Sequence, residues 1–214
     1  MHEEISAWHV ETLLSRTAEG LPKRGFAAVI KKTREEILAH VESIVPDGSS
    51  VGMGGSVTVR ELDIPAMLAR KGCTVYDHWR PGLSQEEVFA IRRRQLTADF
   101  FLTGTNALTV DGRLVNIDGT GNRVAAMSFG PRHIIVIAGA NKIVRDLDDA
   151  LRRIKDLASP QNSRRLGLQT PCAAAGRCCD CGAGSTVCRI VSIIEYKPLA
   201  ADYTVILTPE PLGF

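Results

Sequence analysis

Apolar positions recur along the chain at two spacings, one typical of helices and one typical of strands. Near the start, Ile5, Trp8, Leu13 and Leu14 lie at helical spacing and predict an amphipathic helix that ends at Gly20. Further helices are predicted at residues 33–44, 58–71 and 142–158, and after the capping sequence at residues 84–87. Short apolar runs predict strands at residues 26–30, 50–54, 73–76, 99–103, 134–138 and 203–207.

The strand and helix signals alternate, which predicts parallel strands in a layered α/β sheet. The runs at 99–103 and 134–138 are apolar throughout, the pattern of strands that are covered on both faces. Between them, Asp111 and Gly112 separate two strand-like runs and predict a tight hairpin. Proline is expected to kink or divide the helix around Pro65, and to break the chain at Pro160.

Length, charge and the lack of long apolar runs limit the domain organisation and the partners that fit this sequence. The 214 residues predict one domain, with an α/β core at 1–160, a Gly- and Cys-rich part at 161–195 (the Cys-rich segment) and a final strand within 196–214. The formal net charge of +2 gives no reason to expect a nucleic-acid partner. No apolar run approaches a membrane span and the first residues lack a signal-peptide pattern, so we expect a soluble, cytoplasmic protein with no membrane partner.

The first candidate site is the Gly-rich loop that follows the strand at 50–54. A strand, glycines, hydroxyls and then a helix form an arrangement that binds anions, because free backbone N–H groups converge there. The candidate ligand-binding residues are Gly54, Gly55, Ser56 and Thr58. The loop is neither a Walker A loop nor a dinucleotide fingerprint. The alternative interpretation is a plain turn in which Ser56 or Thr58 caps the helix.

The second candidate site lies around the predicted hairpin, where a buried strand ends and a Gly-rich loop follows. Loops at the carboxyl ends of parallel strands are where α/β proteins commonly bind small molecules. Thr103, Asn106 and Asn122 are candidate binding residues. Arg123 is expected to clamp a carboxylate or phosphate, with Asp118 as its partner or as a base. The alternative is ordinary turn chemistry, with Asn122 as a helix cap.

The third candidate site is the cysteine cluster. Five of the six cysteines lie between residues 172 and 188, a distribution that favours metal binding or redox chemistry in a reducing compartment. Four of them, Cys172, Cys178, Cys181 and Cys188, provide enough thiolates for a tetrahedral zinc or an iron–sulfur cluster. Buried reduced thiols or adventitious disulfides are the alternatives. Cys179 and Cys73 are expected to be bystanders.

Several sequence blocks resemble the lactate-utilisation (LUD) domain family, in its Cys-bearing, single-domain branch. Besides the Gly-rich loop with Glu61 and the cysteine cluster, the matching blocks are residues 103–107, 111–112, 116–126, 129–131, 138–144 and 212–214. The resemblance covers residues 5–214. The stretch around Cys188 departs from the Ser-Pro-x-Arg-Ile-Cys-Asn-like pattern usual in the branch.

The resemblance implies a Rossmann-like, mostly parallel sheet of the phosphosugar-isomerase and CoA-transferase-like type. Better-studied relatives belong to systems that oxidise L-lactate to pyruvate with iron–sulfur partner subunits, and related folds bind phosphorylated sugars or acyl-CoA at Gly-rich loops. The implied function is therefore binding of a small anionic metabolite in lactate or hydroxy-acid utilisation.

Two alternative functions stay open. One is a non-catalytic accessory subunit that docks a redox partner through the Cys-rich segment. The other is a sugar-phosphate isomerase-like or CoA-transferase-like enzyme, for which Asp118 or Glu61 would serve as the carboxylate base. The sequence leaves open whether the protein is an enzyme, whether it holds a metal and which one, and whether it forms a homo-oligomer.

Overall fold

The chain alternates strands and helices over most of its length, as the hydrophobic pattern predicts. The structure, a computed structural model, describes residues 1–214. The strands are β1 (Ala27–Ile30), β2 (Ser50–Met53), β3 (Thr74–Tyr76), β4 (Phe100–Gly104), β5 (Ala107–Thr109), β6 (Leu114–Asp118), β7 (His133–Gly139), β8 (Ile143–Val144), β9 (Ile190–Ile194) and β10 (Asp202–Thr208). The helices are α1 (His2–Lys23), α2 (Arg34–Ile44), α3 (Val57–Glu61), α4 (Ile64–Arg70), α5 (Gln85–Gln95), α6 (Asn122–Ser128), α7 (Leu147–Arg153), α8 (Ser159–Arg165) and α9 (Pro171–Ala175).

Six strands form one parallel sheet in the order β1-β10-β7-β4-β2-β3. This confirms the predicted α/β class with a parallel sheet. The last strand, β10, lies between β1 and β7, so the end of the chain is built into the middle of the sheet. None of the helices has the length and apolar composition of a membrane span.

Helices cover both faces of this sheet. Alternate residues of β4 and β7 point to opposite faces, as the two-residue period of a strand requires. Phe101 and Val136 pack with α1 and α6, whereas Leu102 and Ile135 pack with α2, α3 and α4. The uninterrupted apolar runs of β4 and β7 are therefore explained by burial on both sides.

A smaller sheet in the order β8-β5-β6-β9 lies beside the main one. Its centre is the antiparallel β5–β6 pair, which confirms the predicted hairpin. Ala150 and Ile154 of the following helical segment pack against this sheet. The antiparallel edge strand β9 falls at the end of the Cys-rich segment and was not predicted.

Two helix boundaries in the second half of the chain were predicted wrongly. The helix predicted at 142–158 begins only at Leu147, because Ile143 and Val144 pair with β5 as β8. The expected break at Pro160 is absent. A π-helical turn at Ile154–Ala158 joins α7 to α8, and Pro160 lies in the first turn of α8, where its missing N–H costs little.

The expected end of the first helix at Gly20 is also wrong, since α1 continues to Lys23. Gly20 instead allows close packing: a Cβ at this position would lie 2.6 Å from the carbonyl oxygen of Val110 in the hairpin. The region around Pro65 is divided into α3 and α4, and Ser84 forms the predicted capping box with Glu87.

Candidate functional site

A polar cavity of about 410 Å³ opens at the carboxyl edge of the parallel sheet. The loops after β2, β3, β4 and β7 form one side of it, and α5, α8 and residues 186–189 form the other. We call it the edge cavity. Its charged lining consists of five basic side chains and one carboxylate: Arg92, Arg123, Lys142, Arg165, Arg189 and Asp118. This edge of a parallel sheet is where α/β folds commonly bind ligands.

Ser56 and the loop after β2 form the wall of the edge cavity nearest the sheet. Ser56 caps α3, because its Oγ accepts a hydrogen bond from the Val59 N–H at 3.3 Å. The same oxygen accepts the N–H of Gly104 at 3.0 Å, which ties the end of β4 to the loop. Ser56 is thus a helix cap and also lines the cavity, so the two sequence interpretations of this residue are compatible.

The two glycines of this loop permit close approach. A Cβ at Gly55 would lie 2.8 Å from the ring of Trp79, and a Cβ at Gly54 would lie 2.9 Å from Oγ1 of Thr103. Gly55 and Thr103 line the edge cavity, while Gly54 lies behind it. Thr103 donates its hydroxyl to the Gly104 carbonyl at 2.9 Å, so this hydroxyl is used within the protein.

Lys142 is a site residue that the sequence interpretation missed. It is 4% exposed, lines the edge cavity, and donates from Nζ to Oγ1 of Thr58 at 2.8 Å. Burial, with Arg153 and Arg123 nearby, lowers the pKa of Lys142 to about 7, against a smaller opposing effect of Glu61. The only signal for Lys142 was its place in the 138–144 block, where a helix was expected to begin.

Arg123 lies at the floor of the edge cavity with its guanidinium held by the protein. It donates to Oδ1 of Asn116, to Oδ1 of Asn106 at 3.0 Å and to the Ile117 carbonyl at 2.9 Å. Its Nε lies 3.4 Å from Oδ2 of Asp118. Because most of its donors are used, Arg123 organises the ends of β5 and β6 rather than presenting a free fork to a ligand.

The two carboxylates named as candidate bases occupy different places. Asp118 lines the edge cavity, but its Oδ1 accepts the N–H groups of Thr120 and Gly121 at 3.0 and 2.9 Å. Glu61 is exposed and does not line the cavity; its Oε2 accepts the Gly213 N–H at 2.8 Å. Asp118 therefore shapes the loop before α6, and Glu61 anchors the segment at 212–214.

The two predicted asparagines both line the edge cavity and are both engaged in hydrogen bonds. Oδ1 of Asn106 accepts the Ile117 N–H at 3.0 Å besides the Arg123 guanidinium. The Asn122 amide donates to Oε1 of Gln95 at 3.4 Å. Asn122 begins α6, after Gly121 in a left-handed conformation, so it is not the cap that the alternative interpretation expected.

His78 is a second residue that the sequence interpretation missed. The fully buried Gln95 holds it: Nε2 of Gln95 bonds the carbonyls of Met53 and Tyr76 and lies 2.9 Å from Nδ1 of His78. Burial, with Arg92 adding to the effect, lowers the pKa of His78 to about 4. His78 is therefore neutral at pH 7.

Trp79 lines the edge cavity, and the guanidinium groups of Arg60 and Arg165 stack on its ring. Arg60 lies 4.4 Å and Arg165 lies 4.5 Å from the ring centroid. Asp77 neutralises Arg60 through an ion pair, whereas Arg165 has no acidic partner. Cation–π stacking holds the guanidinium of Arg165 in place, and its Nε and Nη2 also donate to Oδ1 of Asn162 at 3.2 and 2.7 Å. Trp79 thus positions Arg165 at the cavity.

Four basic side chains of the lining lack an acidic partner: Arg92, Lys142, Arg165 and Arg189 form none of the ion pairs of the structure. In addition, Nε of Arg92 is buried without a hydrogen-bond partner. A buried charged donor without a partner is costly unless a ligand satisfies it. Of the three consecutive arginines at 92–94, Arg92 alone lines the cavity.

The four candidate metal ligands are not assembled in the structure. Cys188 lines the edge cavity, with Sγ 3.4 Å from Oγ of Ser159, and Cys172 is buried near Ser163. Cys178 and Cys181 are half-buried, and all six cysteines, including Cys73 and Cys179, are free thiols. No three His, Cys, Asp or Glu side chains are grouped so as to hold a metal ion. Zinc or cluster binding therefore stays a prediction.

Fold and site together define an α/β protein with a cationic cavity at the carboxyl edge of a parallel sheet. A family model, the LUD domain, matches residues 14–208. The chain belongs to the LUD-domain family, which confirms the resemblance seen in the sequence.

The fold also recurs in a solved structure. A DUF162 family protein from Deinococcus radiodurans superposes with a TM-score of 0.53 at 16% identity, over 93% of this chain and 98% of the other. At that identity the likeness concerns the fold alone. No curated protein matches the chain.

Proposed function

We propose that this LUD-domain protein binds a small anionic metabolite, a carboxylate or a phosphate ester, in the edge cavity, as part of lactate or related hydroxy-acid utilisation. The observation that carries the proposal is the charge imbalance of the lining. Arg92, Arg165 and Arg189 have no acidic partner, and the one carboxylate, Asp118, is already paired with Arg123. Cations gathered around a cavity favour an anionic occupant.

Hydrogen-bond donors and shape support the same occupant. The volume of about 410 Å³ lies within the ~300–1,000 Å³ usual for small-molecule sites. Neutral His78 places an imidazole on the lining, and Nη1 of Arg165, which makes no hydrogen bond within the protein, stays available as a donor. Family membership supports the metabolic context, and the lining supports the charge class of the ligand.

Thermal-shift measurements test this proposal directly. L-lactate, pyruvate, inorganic phosphate and dihydroxyacetone phosphate serve as the panel, because they vary the acid and the carbonyl independently. We expect at least one anion to raise the melting temperature, since a ligand that binds the folded state stabilises it. The effect should weaken in Arg165→Gln and persist in Arg164→Gln, whose side chain does not line the cavity. Equal responses of the two variants would contradict the proposal.

A further inference from the structure

Lys142 is not needed to attract an anion to the edge cavity, so its position there calls for another explanation. Three guanidinium groups already supply unpaired positive charge, and they lie on α5, on α8 and in the Cys-rich segment just before β9. Lys142 lies beside the strand ends: a Cβ added at Gly104 or at Gly213 would come within 3.3 Å of its Nζ. The absence of side chains at these two glycines thus leaves room for the amine at the cavity.

The surroundings of Nζ favour a free amine. No carboxylate lies within ion-pair distance of it, and its hydrogen-bond partner is the neutral hydroxyl of Thr58 at 2.8 Å. The charged groups that act on it are Arg153 and Arg123, which oppose a proton, and Glu61, which favours one more weakly. With a pKa of about 7, a large share of Lys142 is unprotonated at neutral pH and carries a nucleophilic lone pair.

We propose that Lys142 is a nucleophile that forms a Schiff base with the carbonyl carbon of an anionic ligand, a 2-oxo carboxylate or a keto phosphate. This inference rests on the proposed function, because the cations of the edge cavity must first bind the anionic group. It narrows the ligand to anions that also carry a ketone or an aldehyde.

The covalent step balances without any further reactant. The lone pair of Nζ forms a bond to the carbonyl carbon, and the π electrons of the carbonyl move to its oxygen. The two amine protons pass in turn to that oxygen, first giving the carbinolamine hydroxyl and then water, which leaves as the C=N bond forms. Amine and carbonyl are thereby converted to imine and water, with no oxidant or reductant.

Thr58 positions the amine for this step. Its Oγ1 accepts a hydrogen bond from Nζ and donates to the Leu212 carbonyl at 3.3 Å. The hydroxyl is thus an acceptor toward Lys142, which leaves the nitrogen lone pair directed away from Thr58. When the imine nitrogen takes up a proton from solvent, the negative charge of the bound ligand offsets its positive charge, which Arg123 and Arg153 oppose.

Borohydride trapping tests the proposal. The full-length protein is incubated at pH 7 with pyruvate or with dihydroxyacetone phosphate, reduced with sodium cyanoborohydride and mapped by peptide mass spectrometry. L-lactate, which has the same carboxylate but no carbonyl, is the matched control. We expect a reduced adduct on Lys142, favoured at least ~tenfold over the exposed Lys155, because an ordinary lysine is almost fully protonated at this pH.

The outcomes separate this inference from the proposed function. An adduct on Lys142 that is lost in Lys142→Met supports it. Adducts spread over exposed lysines, or none on Lys142, overturn it. If pyruvate raises the melting temperature without an adduct, the Schiff base is excluded and anion binding stands. If no anion shifts the melting temperature and no adduct forms, both proposals fail. Mapping on the unmodified chain decides the question even if Lys142→Met does not fold.

Discussion

The edge cavity and the Cys-rich segment differ in how their polar side chains are held. At the cavity floor, Arg123 has four protein partners and Asp118 accepts two backbone N–H groups besides facing Arg123. In the Cys-rich segment, Cys178 and Cys181 are half-buried, Cys179 is exposed, and the sulfur atoms converge on no common point.

The two regions differ because they are attached to the sheet in different ways. The cavity loops start where parallel strands end, and the hydrogen-bonded register of those strands places the loops side by side. The Cys-rich segment is anchored mainly by the five-residue helix α9 and, at its far end, by β9. A site built on strand ends is organised before a ligand binds. Four thiols on a long loop would depend on a bound metal to hold them together, since metal binding and folding are coupled.

The largest expected effect concerns the cavity floor. Arg123→Met should lower the free energy of unfolding by about 3–5 kcal/mol, because it leaves the buried Asp118 carboxylate and two asparagine side chains without their partner. Arg152→Met, which removes an exposed ion pair with Asp149, should cost at most about 1 kcal/mol. Chemical denaturation measures both. Similar losses would show that the floor is not a buried network.

A pH effect should follow from His78. Its pKa is lowered in the folded state, so the unfolded chain binds the proton more readily, and stability is lost as the pH falls from about 6.5 to about 4. The contribution is at most about 3 kcal/mol. The free energy of unfolding of His78→Gln should depend less on pH over this interval than that of the unmodified chain. His2→Gln, on the exposed end of α1, is the control, and a parallel pH profile for His78→Gln would contradict the assignment.

Ligand affinity should respond differently to substitution of two neighbouring arginines on α5. Arg92→Gln should weaken binding of whichever panel anion stabilises the protein by about tenfold, since a charge-assisted hydrogen bond contributes about 1.5–3 kcal/mol. Arg93→Gln is the matched control, because Arg93 is exposed and does not line the cavity. Titration calorimetry with that anion gives both dissociation constants. Equal constants would mean that Arg92 does not contact the ligand.

The smallest effect is expected in the Cys-rich segment of the metal-free protein. There, the double substitution Cys178→Ser and Cys181→Ser should change the free energy of unfolding by no more than about 0.5 kcal/mol, as is usual for surface positions. Elemental analysis of anaerobically purified protein and a visible spectrum complete the test. If the protein contains zinc or iron, and the double variant loses both the metal and part of its free energy of unfolding, the Cys-rich segment is as well organised as the cavity floor.

Local patterns predicted the elements more reliably than their ends. The apolar runs of β4 and β7 and the Asp111–Gly112 hairpin depend on nearby residues and were predicted correctly. The start of α7 was not, because β8 forms only when β5 is available as its partner. The edge strand β9 was missed for the same reason, since it pairs with the distant β6.

For the site, sequence spacing pointed to the loops but not to the partners of each side chain. Ser56, Thr58, Asn106, Asp118 and Arg123 all line the edge cavity. Asp118 lies beside Arg123 as its partner, which was one of the two expectations, whereas the bonds of Arg123 to Asn106, Asn116 and the Ile117 carbonyl had no signal in the spacing. Lys142 and His78 have no local pattern that marks a binding residue.

The sequence by itself determined the α/β class, the family and the Gly-rich loop, because hydrophobic period, turn residues and capping motifs act over a few residues. Only the tertiary structure decided that Lys142 is hydrogen-bonded to Thr58 and that Arg165 stacks on Trp79. It also decided that Cys188 alone of the four candidate metal ligands lines the edge cavity. These contacts join strand ends and helices far apart in the chain. Their burial, and with it the pKa of Lys142, depends on how the whole sheet packs.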